Sequence, residues 1–135
     1  MRVVLDTNVL ISGLMLPDSI PGKIIHAWRN AHFVLALSEP MLEEITKVLA
    51  YPKIQKRLLW DQSQINKFDL LLRFKTDIVS LESIEAHVPT DPDDNMVLAT
   101  FLASQADYLI SGDSDLLNLN TQYAILSPSE FAKQL

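Results

Sequence analysis

Short unbroken apolar runs alternate along this chain with longer stretches whose apolar residues recur at helical spacing. "RVVL" (2–5) is rich in β-branched residues and predicts a buried strand. "PGKIIHAWRN" (21–30) predicts a helix with Ile24, Ile25 and Trp28 on one side, and "FVLA" (33–36) a second strand. "SEPMLEEITKVLA" (38–50) predicts a helix with Ser38 as N-cap and Pro40 in the first turn. "DQSQINKFDLLLRF" (61–74) is a further amphipathic helix, "DIVSL" (77–81) a third strand and "DPDDNMVLATFLASQ" (91–105) a helix. "YLIS" (108–111) and "YAIL" (123–126) complete five strands before "SPSEFAKQL". Strands that read as continuous apolar runs and alternate with helices imply a mainly parallel sheet covered on both faces. The expected fold is therefore α/β, a three-layer α/β/α sandwich around a five-stranded sheet. No repeat, low-complexity tract or Gly/Ser linker divides the chain, so residues 1–135 are read as one domain.

In open sheets of this kind, ligands bind beyond the carboxyl ends of the strands. That rule makes the acids informative. Asp6 directly follows the first strand, and Asp113 follows the fourth with only Gly112 after the strand's last residue. Asp91 can cap the 91–105 helix, with Pro92 at its first position. Asp94 lies one turn before Leu98 and about 40° from it, whereas Asp93 points roughly 140° away. In "LEEI" the same geometry puts Glu43 opposite the buried stripe and Glu44 on its flank. Asp6, Glu44, Asp94 and Asp113 can thus converge, while Glu43 and Asp93 do not. Taken singly, Asp91 and Asp93 suit a helix start, and Asp113 suits a turn.

Converging carboxylates repel. At about 4 Å, each pair costs on the order of 4 kcal/mol at an effective dielectric of about 20. Protonation or a bound cation must relieve that. An all-oxygen set selects hard ions such as Mg²⁺ or Mn²⁺ over Zn²⁺. Such ions can polarise a phosphoryl group, generate hydroxide near neutral pH and neutralise developing charge in phosphodiester hydrolysis.

Composition changes this picture little. The chain is 48% hydrophobic and 21% charged, ordinary for a folded domain. It has no cysteine, which excludes disulfides, thiolate metal sites and a cysteine nucleophile. His26, His32 and His87 are scattered without metal-ligand spacing. The net charge of −6 argues against a phosphate partner at first sight. The charge is uneven, however: Lys47, Lys53, Lys56 and Arg57 fall within eleven residues. Those four are candidates for RNA backbone contacts, against the plainer reading as a solvated helix face. Asp6 stands too early for a signal peptide's apolar core, and no window approaches a membrane span. A cytoplasmic protein without membrane attachment is the expectation.

"VVLDTNVLIS", "SEPMLEEITKVLAYPKI" and "DPDDNMVLATFLASQADYLISGDSDLL" together resemble the PIN domain family over nearly the whole chain, in the expected order and spacing. The resemblance aligns Asp6, Glu44, Asp94 and Asp113 with the family's four acids and Asp115 with a further metal-binding acid. Asn8 matches a polar position that supports the first aspartate. Ser111 replaces the common threonine before the fourth acid and keeps its hydroxyl. The family implies a Mg²⁺- or Mn²⁺-dependent endoribonuclease, with Asp6, Asp94, Asp113 and Asp115 holding metal and Glu44 joining the catalytic set. The short chain resembles most closely the toxin components (VapC-like ribonucleases) of toxin–antitoxin pairs. That implies an RNA substrate, an antitoxin protein partner and a homodimer or higher homo-oligomer. The alternative from another class is a non-catalytic domain that binds RNA or protein. A haloacid-dehalogenase-type phosphatase would need an aspartate where Asn8 stands, and a receiver domain needs an aspartate and lysine after its third and fifth strands that are missing. The stretch Phe68, Leu71, Leu72, Phe74 reads equally as core or as an interaction surface.

Overall fold

The computed structural model describes residues 1–86 and 94–135. Five strands, β1 (Arg2–Leu5), β2 (Val34–Ser38), β3 (Asp77–Val79), β4 (Tyr108–Ile110) and β5 (Ile125–Leu126), form one sheet in the order β3-β2-β1-β4-β5. Every pairing is parallel. β1 is central because both of its faces are covered: Val3, Val4 and Leu5 are fully buried. β3 is an edge strand with exposed Ile78, and Asp77 there meets the Arg2 guanidinium at 2.8 Å.

The helices are α1 (Thr7–Met15), α2 (Ile20–Arg29), α3 (Glu39–Leu49), α4 (Pro52–Leu58), α5 (Gln62–Lys75), α6 (Asn95–Ser104), α7 (Ser114–Leu117) and α8 (Pro128–Ala132). α1, unforeseen from the sequence, is apolar on nearly all sides, so it carries no amphipathic stripe to read. α2 starts where the Ser19 hydroxyl accepts the Gly22 N–H. α5 starts in a reciprocal cap: Asp61 accepts from the Gln64 N–H at 3.0 Å, and Gln64 accepts from the Asp61 N–H at 2.8 Å. α6 returns from β3 to β4 across β2 and β1 and packs along the sheet. The core runs through the sheet to Trp28, Leu10, Ile24 and Phe131, the last set edge-on to Phe33 at 5.4 Å.

One expectation needs correction. Ser38 occupies the N-cap position of α3, but its side chain makes no cap. It is fully buried, and its hydroxyl is 2.8 Å from that of Thr100, tying β2 to α6. The helix expected over 91–105 is described from Asp94 onward, as α6 with Asp94 in the cap position and helical backbone angles. Asp91, Pro92, Asp93 and His87 lie outside the described residues. In the ambiguous stretch of α5, Phe68 and Leu72 are buried, whereas Phe74 is 91% exposed. No helix among the described residues is long and apolar enough to cross a membrane.

Candidate metal centre

The strand order turns at β1 and β4. The chain builds outward from β1 through β2 to β3, then crosses back to β4 on β1's other side. Loops leaving the carboxyl ends of β1 and β4 therefore diverge and leave a crevice between them. The β1–β4 register pairs Leu5 with Ile110. The next residues, Asp6 and Ser111, consequently stand side by side. The Asp6 N–H donates to the Ile110 carbonyl at 2.9 Å, so its backbone is held by the ladder before α1 begins.

Ser111 links the two acids across the crevice. Its buried hydroxyl donates to Asp6 Oδ2 at 2.8 Å and accepts the Asp113 N–H at 2.9 Å. Asp113 Oδ1 in turn accepts the Asp115 N–H at 2.8 Å, which caps α7. Asp94 comes from the opposite wall, at the head of α6. One carboxylate oxygen each from Asp6, Asp94 and Asp113 lies within 4.8 Å of the others. Asp6 and Asp94 are buried and Asp113 half-buried.

The electrostatics follow from that crowding. Burial, opposed by the Ser111 hydrogen bond, pushes the Asp6 carboxyl above its ordinary 3.8, and the Asp113 charge raises it further. The Thr7 and Asn8 backbone N–H groups at the head of α1 act the other way. The site thus resists full ionisation when no cation is present. Three carboxylates at this spacing, with no sulfur or imidazole donor among the described residues, are a donor set for a hard divalent ion. The residues present fit Mg²⁺ or Mn²⁺.

Of the other candidates, Glu44 is half-buried on α3 and outside the 4.8 Å set, while Glu43 is exposed. Asp115 is half-buried and also outside it. Asn8 lines a cavity of about 410 Å³ beside Asp6, together with Ser12, Pro21, Asp113 and Pro128. Lys47 on α3 and Lys53, Lys56 and Arg57 on α4 are all exposed. Sequence reasoning missed the buried Ser38–Thr100 bond that fixes α6 behind Asp94. A lone polar residue at position 100, in the otherwise apolar run of α6, was the available signal.

A family model described as PIN domain matches residues 2–115. An uncharacterized protein of Methanocaldococcus jannaschii, MJ1680, is 31% identical over 144 residues, which cover 98% of this chain and 90% of that protein. Among solved structures, VapBC2 from Rickettsia felis bound to a DNA fragment from their promoter superposes with a TM-score of 0.60 at 16% identity. That match covers 94% of this chain and 98% of the other, and it is a likeness of fold.

Proposed function

We propose, from the premise that the chain belongs to the PIN domain family, that it is a divalent-metal-dependent endoribonuclease and the toxin of a toxin–antitoxin pair. The observation that carries the reading is the meeting of Asp6, Asp94 and Asp113 within 4.8 Å at the turning point of the sheet. These three would hold Mg²⁺ or Mn²⁺, with Asp115 as a further ligand and Glu44 joining the catalytic set from α3. Held there, such an ion would supply Lewis acidity and an activated water for phosphodiester hydrolysis near neutral pH.

The remaining work belongs to the protein. Ser111 donates to Asp6 Oδ2 and accepts the Asp113 N–H with the same hydroxyl, which would orient both acids toward an ion. Asn8 stands at the mouth of the cleft, where a phosphate oxygen would meet its amide. Lys47, Lys53, Lys56 and Arg57 are exposed cations for the RNA backbone. By the same reading the protein acts in the cytoplasm, as a homodimer or higher homo-oligomer restrained by an antitoxin. The Rickettsia toxin–antitoxin complex shares the fold and supports the partner assignment.

The test is cleavage of end-labelled RNA by the wild type with Mn²⁺, with Mg²⁺ and with EDTA, beside Asp94→Asn. Cleavage that requires the ion and disappears in the variant is expected. Cleavage that persists in EDTA, or equally in Asp94→Asn, would remove the acids from the chemistry.

A further inference from the structure

Separate from the acidic cleft, a second concave site of about 610 Å³ lies between α2 and the corner joining α4 to α5. That is within the roughly 300–1,000 Å³ usual for ligand sites. Lys23, His26 and Arg29 line it from α2. They are spaced three apart, which keeps them on one side of the helix, while Ile24, Ile25 and Trp28 take the buried side. Among the described residues, neither Lys23 nor Arg29 is in an ion pair. Asp18 is the acid among the lining residues.

The facing wall is Leu58 and Trp60. Leu59 between them adopts a left-handed backbone (φ 59°), which turns the chain sharply and sets the Trp60 ring at the groove. The Trp60 backbone N–H donates to the Gln55 carbonyl, which fixes the turn, and the half-buried ring lies against Phe68 with centroids 5.4 Å apart. The Arg29 guanidinium stands 6.0 Å from the centre of the same Phe68 ring. A flat, half-exposed aromatic beside two cations is the arrangement that receives unpaired bases and their phosphates.

The groove also adjoins the acidic cleft. Ser12 and Pro21 line the cleft, and their chain neighbours Gly13 and Gly22 line the groove, so one α1–α2 wall separates the two. Consecutive Cα atoms are about 3.8 Å apart, which makes the wall thin. We propose that this groove binds an unpaired nucleotide of the RNA beside the scissile position, its base stacked on Trp60 and its phosphate held by Lys23 and Arg29. The proposal rests on the nuclease reading and names where that enzyme grips its substrate. An apolar peptide would leave Lys23 and Arg29 without an anionic partner, and an acidic peptide would leave the aromatic face without a stacking partner.

Tryptophan fluorescence tests it directly, because Trp28 is 1% exposed and Trp60 is the accessible ring. The full chain in EDTA is titrated with a single-stranded RNA of about ten nucleotides. Saturable quenching is expected for the wild type, with loss of the signal in Trp60→Phe and about tenfold weaker binding in Trp60→Ala by an unlabelled-chain assay. Arg29→Gln should lower the slope of log affinity against log salt by about 0.7, one phosphate's share for a single strand. Thermal unfolding checks each variant. If Trp60→Ala does not fold, the Trp60→Phe signal and the Arg29→Gln slope decide. Absence of quenching, or unchanged affinity and slope in the variants, overturns the proposal. Quenching by a poly-glutamate peptide but not by RNA overturns it in favour of a protein partner. RNA cleavage is measured in parallel with Mn²⁺. Cleavage without a Trp60 signal sinks the groove and spares the nuclease, whereas quenching without cleavage sinks the nuclease and leaves a nucleic-acid groove.

Discussion

Replacing Asp6 by asparagine should stabilise the metal-free protein and at the same time abolish its response to metal. Asp6 faces two other carboxylates within 4.8 Å. At an effective dielectric of about 20, each such pair costs about 3.5 kcal/mol when both members are ionised. Two pairs come to about 7 kcal/mol before solvent screening. Asp113 is half-exposed and screened by water, and Asp6 itself resists ionisation, so about half of that is released. Asparagine keeps an oxygen to accept the Ser111 hydroxyl but makes the bond neutral, a loss of about 1–2 kcal/mol. The net gain is about 2 kcal/mol. For a chain of 135 residues that raises the unfolding midpoint by about 8 °C.

Thermal unfolding in EDTA and in Mn²⁺ measures both effects. An ion at about 100 times its Kd adds about 2.7 kcal/mol to the wild type, about 10 °C, and nothing to Asp6→Asn. The ranking of the two proteins should therefore invert when metal is added. Titration supplies an independent arm. The Asp6 carboxyl is raised in the folded state, so between its ordinary 3.8 and that higher value the folded chain binds more protons than the unfolded one. Its contribution to metal-free stability is accordingly lost as pH rises through that window, and the loss persists above it. Asp6→Asn should lack that decline. If the variant is less stable than the wild type in EDTA, and Mn²⁺ raises both equally, the three acids are not a repelling metal cluster.

Ser111→Ala removes the donor to Asp6 and the acceptor for the Asp113 N–H; about 2–4 kcal/mol of stability should go, with weaker Mn²⁺ affinity by calorimetry. Thr100→Val leaves the fully buried Ser38 hydroxyl without its partner and should cost about 1–3 kcal/mol in urea unfolding. Gly22→Ala would drive a methyl group into the carbonyls of Leu16 and Pro17, and a loss of at least about 1–3 kcal/mol is expected by the same method. Phe74→Ala, at a side chain 91% exposed, should change monomer stability by no more than about 0.5 kcal/mol.

The inner strands were legible because they are short apolar runs covered on both sides, as Val3, Val4 and Leu5 are. α5 was legible from Asp61 and its amphipathic repeat. α1 was not, since Val9, Leu10 and Ile11 are adjacent and all buried, which erases the helical period. Ser38 was misread for a different reason. A serine before a helix predicts a cap only if its hydroxyl is unclaimed, and Thr100, sixty-two residues away, claims it.

The acids show why a site can be readable where a fold is not fully so. Asp6 and Asp113 each follow a strand, and that much is local. Whether they meet depends on β1 and β4 being neighbours, which local pattern cannot say. The parallel register answers it: Leu5 opposite Ile110 sets Asp6 beside Ser111, and Ser111 carries Asp113 on its hydroxyl. Asp94 joins through the Ser38–Thr100 tie that seats α6 on β2. Trp60 and Arg29 had no such local mark. Their juxtaposition rests on the left-handed turn at Leu59 and on packing against Phe68, and neither leaves a periodic trace in the sequence.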